Sequence, residues 1–114
     1  MGIGGLGNLG KLMKQAQKMQ EEMARIQAEA ENKKVEATAG GGAVKVEANG
    51  KGELVSVSIQ PDAIDPQDPG LLEDLVLAAA NEALRQARET VAQEMQQMAR
   101  EVGLPNVPGL QGLF

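Results

Sequence analysis

The stretch VEATAGGGAVKVEANGKGELVSVSI, residues 35–59, decides the fold. It reads as three short strands, VEATA (35–39), AVKVEAN (43–49) and ELVSVSI (53–59), cut by Gly40-Gly41-Gly42 and by Asn49-Gly50-Lys51-Gly52. Asn-Gly between two alternating runs is a strong hairpin signal, because both turn positions tolerate positive φ. Alternation places Val44, Val46 and Ala48 on one face with Val55, Val57 and Ile59, and turns Lys45, Glu47, Ser56 and Ser58 the other way. One face core and one face wet is the signature of an antiparallel meander.

Upstream, apolar residues fall at Leu9, Leu12, Ala16, Met19, Met23, Ile26 and Ala30, alternating steps of three and four, with no Gly or Pro from Leu12 onward. That spacing predicts a helix from about residue 8 to 31 carrying a narrow heptad seam, with Asn8 as its N-cap. So thin a stripe on a helix roughly 35 Å long suits a partner helix better than a broad core. Glu21 with Arg25 and Glu29 with Lys33 add i,i+4 pairs on its exposed sides.

Downstream, QPDAIDPQDPG (60–70) is a loop of turn residues. Its aspartates mimic a calcium loop starting at Asp62, but Ile64 and Pro66 would then stand where carboxylates are needed. Asp68 is better read as a helix cap, with Pro69 in the first turn and Glu73 and Asp74 near the positive end. The second helix is predicted from about residue 69 to 101. It is apolar nearly all round in LLEDLVLAAA and then striped at Ala80, Ala83, Ala87, Val91, Met95, Met98 and Val102. Asn81 reads as a structural or surface polar residue of this helix. Gly103 and Pro105 end it.

The fold class is therefore α+β: a long N-terminal helix, a three-stranded antiparallel meander and a long C-terminal helix. Residues 1–7 read as a flexible Gly-rich arm, 8–103 as one domain and 104–114 as a flexible Gly/Pro tail. A sheet with two open edges and a helix seam with no mate in the chain are both satisfied if two copies pair, which predicts an intertwined homodimer.

Composition excludes much chemistry. Among 114 residues there is no Cys, His, Trp or Tyr, and the single Phe is the last residue. Zinc sites of the usual kind, disulfides, thiol nucleophiles and imidazole acid–base catalysis are gone, as are aromatic base-stacking platforms. No carboxylate constellation converges in their place, so the chain reads as no enzyme, with no cofactor, no metal and no small-molecule substrate. No apolar run suits a signal peptide or a membrane span, which points to a cytoplasmic protein. Gly2 invites the idea of myristoylation, but Leu6 stands where that signal wants Ser or Thr. GIGGLG and GLGNLG, within residues 2–10, fit G-x-G-x-x-G, yet no strand pattern feeds them. Leu12 follows Lys11 where a phosphate-binding loop needs Ser or Thr.

Charge is unevenly placed. The net value is -5, but residues 1–20 hold Lys11, Lys14 and Lys18 with no acid, while residues 60–101 carry three bases against nine acids. On the heptad, those three lysines and Arg25 lie opposite the seam. Screening acts over about 8 Å, so a local basic stripe attracts phosphates despite an acidic total.

Three blocks, GNLGKLMKQAQKMQEEMARIQ, AGGGAVKVEANG and LLEDLVLAAANEALRQA, closely resemble the YbaB/EbfC family of bacterial nucleoid-associated proteins in order and spacing, over nearly the whole chain. The resemblance implies a homodimer whose shared sheet carries projecting helices that grip double-stranded DNA. It further implies a location in the cytoplasm and nucleoid, with compaction or bending of DNA and effects on transcription. Within it, Lys11, Lys14, Lys18 and Arg25 are the expected DNA-binding residues. Arg85 and Arg88, flanked by Glu82 and Glu89, read as a solvated ion-paired face. The competing reading is a protein–protein adaptor that uses the heptad seams and the methionines Met13, Met19, Met23, Met95 and Met98.

Overall fold

The computed structural model describes residues 2–102, with side chains described from residue 9 onward. Helix α1 spans Gly2–Glu29 and passes through a 3-10 turn, Ala30–Asn32, into strand β1, Lys34–Ala39. Strands β2 (Val44–Asn49) and β3 (Leu54–Ile59) follow, then a second 3-10 turn (Pro61–Ala63) and helix α2, Pro69–Glu101. This is the expected α+β order, and the strand and α2 bounds agree with the sequence reading to within a residue.

The start of α1 differs. Residues 2–7, assigned to an arm, lie within the helix, so Asn8 is inside α1 rather than at its N-cap. Once the Leu/Lys/Gln/Met-rich run downstream has nucleated a helix, extending it through glycine costs about 1 kcal/mol each and no new nucleus. Gly103 and the 104–114 tail lie outside the described residues.

The chain divides into two compact units. The first to consider is Glu29–Val91, which holds the sheet. Its order is β1-β2-β3, antiparallel throughout, with Ala37 opposite Val46 and Val46 opposite Val57. Val44, Val46 and Ala48 are fully buried against Ala79, Ala83 and Ala87 of α2, with Val35, Ala39 and Ile59 packed around them. The alanines let the helix backbone lie close to the sheet, and the valines supply the apolar area.

Coverage fades toward β3. Val57 shares the face of fully buried Val46 yet is 48% exposed, and Leu54 and Val55 are exposed too. The register also departs from simple alternation. A bulge after Glu47 sets Leu54, not Val55, opposite Ala48, so Val55 drops out of the expected core face.

Turn chemistry accounts for both connections. Gly40, Gly41 and Gly42 all have positive φ (65°, 67° and 97°), a region that side chains on L-residues disfavour. At the second turn Asn49 has negative φ, and the left-handed residue is Gly52. Asn49, only 4% exposed, anchors the loop. Its Oδ1 accepts from the Lys51 and Glu53 amides at 3.0 and 3.1 Å, and its Nδ2 donates to Glu53 Oε1 at 3.1 Å. Gly50 is there for another reason: its amide donates to Ala30 O at 2.8 Å, an approach that leaves no room for a Cβ. At the far end of the unit the Leu71 amide donates to Asp68 Oδ1 at 3.4 Å, the expected cap of α2. Asn81 is exposed on the surface of α2.

The second unit is helical, formed by the chain up to Ala28 and from Ala92 onward. Met95, Met98 and Ala99 of α2 and Val102 just after it are buried, as is Ile26 of α1. The α2 stripe thus behaves as its spacing predicts. The α1 seam does so only toward its C-terminal end, since Leu9 and Leu12 are 52% and 60% exposed.

Candidate nucleic-acid interface

Lysines spaced three and four apart on a helix share a stripe, so Lys11, Lys14 and Lys18 stand in a row about 10 Å long on α1. All three are exposed and make no ion pair with a described residue. Within the helical unit they line one open groove of ≈ 270 Å³, together with Gln15, Glu101 and Val102. Duplex DNA advances about 3.4 Å along its axis per phosphate of one strand, so this row matches roughly three phosphates. Three mobile ammonium groups facing one groove can bind any phosphodiester backbone, and they supply no base readout.

The fourth expected residue is placed differently. Arg25 is exposed but does not line the groove. Its guanidinium grips Glu22, with Nη2 and Nε donating to Oε2 at 2.8 and 3.1 Å. Three of the four predicted residues, the lysine row, are therefore brought together, and Arg25 is held as part of an i,i+3 pair.

On α2 the expected ion-paired face is centred on one arginine. Arg85 donates to Glu82 at 2.6 and 3.0 Å and to Glu89 at 2.7 Å, bridging the two acids. Arg88, exposed, makes no ion pair among the described residues. The sequence reading grouped the two arginines because both lie between Glu82 and Glu89, but helical spacing separates them: Glu82 and Glu89 stand three and four residues from Arg85, whereas the i,i+3 and i,i+4 neighbours of Arg88 carry no acid. Hydrogen bonds from Arg85 and then Gln86 pull the Glu82 carboxyl from 4.5 down to about 2, and the contacts with Glu82 and then Glu89 raise the Arg85 guanidinium above its ordinary value.

This pair gives a direct titration test. By carbon-detected NMR the Glu82 carboxyl is expected to titrate near 2, and R85A should return it to the ordinary carboxylate range. Because the folded value is depressed, the pair's small stabilisation is present above about pH 4.5 and disappears as pH falls toward 2. An unperturbed Glu82 midpoint in the intact chain would contradict the geometry.

Two groove residues were not singled out in the sequence. Gln15 neighbours the lysine row and was readable from the heptad. Glu101 was not, since it reaches the groove from the other helix, far along the chain.

Two of the three loop aspartates are engaged locally: Asp65 Oδ1 accepts from the Gln67 amide at 2.9 Å, and Asp68 caps α2. No helix among the described residues is long and apolar enough to cross a membrane.

Comparison with known proteins gives a consistent result. A family model described as the YbaB/EbfC DNA-binding family matches residues 5–102. A nucleoid-associated protein of Pelotomaculum thermopropionicum is 54% identical over 104 residues, covering 91% of this chain and 96% of the relative. Another, from Clostridium novyi, is 51% identical over 109 residues, covering 96% of this chain and 93% of its own. Among solved structures, the uncharacterized protein HP0035 of Helicobacter pylori is similar with a TM-score of 0.55 and 25% identity, over 63% of this chain and 83% of that one.

Proposed function

The chain belongs to the YbaB/EbfC DNA-binding family, and from that premise we propose that it binds double-stranded DNA as a homodimer, with little sequence preference, in the bacterial nucleoid. The observation that carries this reading is the groove lined by Lys11, Lys14 and Lys18, three cations left without an acidic partner among the described residues. Phosphate neutralisation by such a row is independent of sequence and yields modest affinity that falls steeply with salt. Arg25 adds to the field of α1 but must first be released from Glu22 to touch a phosphate.

Pairing of two copies is supported by the unfinished core. The face of β3 that continues the buried face of β2 is left exposed at Leu54 and Val57, and β3 is an unpaired edge. An apolar sheet face of this kind asks for cover, and a second copy supplies an identical one with closed symmetry. Two lysine rows on one dimer double the phosphate contacts. They also fix two points on a duplex, which is how a protein without base contacts bends or compacts DNA.

The test is a gel-shift titration on unrelated duplexes at low and near-physiological salt, with the mass of the free protein measured by light scattering. Retardation of every duplex, weakening steeply with salt, by a species of twice the chain mass is the expected result. A dimer that retards no duplex at micromolar concentration would favour the adaptor reading, in which exposed Leu9, Leu12 and Met13 on α1 engage another protein's helix.

A further inference from the structure

The lysine groove contains one acid. Glu101, the last residue of α2, lines it beside Lys11, Lys14, Gln15 and Lys18. Its only described side-chain contact is with Gln97, whose Nε2 donates to Oε1 at 3.3 Å. It forms no ion pair with any of the three lysines, so none of them is locked by it. Charges act over roughly 8 Å at physiological salt, so an acid among the residues lining the same ≈ 270 Å³ groove opposes the field of the lysine row. The C-terminal end of α2 adds its own partial negative charge at the same place.

We propose that Glu101 is a built-in counter-charge that sets the strength of phosphate binding in this groove, holding the affinity for nucleic-acid backbone down. The inference rests on the DNA-binding reading above and adds a regulatory element to it. A phosphodiester entering the groove gains three ammonium groups and meets one acidic residue at its wall. The row can therefore hold the backbone without gripping it, which keeps bound protein exchangeable along the duplex. Charge removal at this position acts locally, whereas removal of an equivalent acid elsewhere changes only the long-range field, which salt screens.

The experiment is a gel-shift comparison of the full chain with E101Q, E101K and the control E73Q on one duplex, across a salt series. Glu73 is an exposed acid of α2 that does not line the groove. E101Q is expected to bind about threefold tighter and E101K about tenfold, on the order expected for unit charges several ångströms apart near a surface. E73Q should stay within about 1.5-fold of the parent at near-physiological salt, as screening dictates. E101K should also steepen the slope of log affinity against log salt by about 0.9, the value of one added phosphate contact. Thermal melts of the variants show whether the fold is retained; Gln at 101 keeps the shape and can still pair with Gln97.

E101Q and E101K indistinguishable from the parent, or E73Q matching E101Q, would overturn the inference while leaving DNA binding in place. If neither the parent nor any Glu101 variant retards DNA, both readings fall together. If the parent is silent and E101Q binds, the counter-charge is stronger than proposed and the inference stands; binding by E101K alone reports only the added cation and overturns it.

Discussion

Replacing Lys11, Lys14 and Lys18 together with glutamate is expected to abolish retardation of duplex DNA while leaving the mass of the free protein unchanged. The lysines are exposed and unpaired among the described residues, so the change removes no described ion pair or packing contact. It converts a groove holding three cations and one acid into one lined by four acids. Each lost lysine removes one phosphate contact and about 0.9 from the salt slope. Reversal adds repulsion, so a loss of roughly two to four orders of magnitude in affinity is expected at low salt. A control of equal charge, K34E/K45E/K51E, lowers the net charge by the same amount. It does so in the sheet unit, where Lys45 pairs with Glu36 at 3.7 Å and Lys51 with Glu31 at 3.4 Å. Those surface pairs are worth about 0–1 kcal/mol each, so the control should fold and bind within severalfold of the parent. Equal losses in both triple variants would show that only net charge matters and would remove the groove from the mechanism.

What was legible in the sequence follows from how local each signal is. The meander was readable because alternation and glycine turns are set by neighbours along the chain. Val44, Val46 and Ala48 are buried as the period-two pattern requires. The α2 stripe was readable for the same reason, and so was the Asp68 cap. The register of β3 was not. A bulge shifts Leu54 opposite Ala48, and nothing in ELVSVSI distinguishes a bulged strand from a regular one. The start of α1 was missed because glycine lowers helix propensity without forbidding a helix.

The candidate site divides along the same line. The lysine row needed only helical spacing, which the sequence carries. Glu101 entered the groove through the placement of one helix against another, whereas the pairing of Glu82 and Glu89 with Arg85 rather than Arg88 was legible in their i,i+3 and i,i+4 spacing. An arginine between two acids is paired or left over according to whether they stand three or four residues from it on the helix. That makes Arg88, exposed and unpaired among the described residues, a more available cation than its grouping with Arg85 suggested.

Gly50 illustrates a residue whose role the sequence named correctly and explained wrongly, and it carries the largest expected effect on stability. The Asn-Gly pair was read as a turn needing positive φ, yet the left-handed residue of this loop is Gly52. A Cβ on Gly50 would lie 2.8 Å from Val91 Cγ2, 2.9 Å from Ala30 O and 3.0 Å from Ala30 Cβ. The Ala30 carbonyl cannot turn away, because it accepts from the Gly50 amide at 2.8 Å and the Lys33 amide at 3.1 Å. Val91 is β-branched on a helix and stiff at χ1. G50A must therefore push the loop off the 3-10 turn and give up the Gly50–Ala30 hydrogen bond. Overpacking of this kind costs about 1–3 kcal/mol and the bond about 1 more, so a loss of roughly 2–4 kcal/mol is expected. At fixed protein concentration that lowers Tm by about 10 °C or more. G41A separates space from backbone conformation: Gly41 has φ 67° and nothing within 4 Å of a built Cβ, so its cost should be only about 1–2 kcal/mol. G50A/V91A relieves the side-chain clash but not the carbonyl one, and should recover only part of the loss relative to V91A alone. A G50A chain melting within 2 °C of the parent, on the scale of about 4–8 °C per kcal/mol, would mean that β2 and the 3-10 turn are not held together as the 2.8 Å hydrogen bond implies.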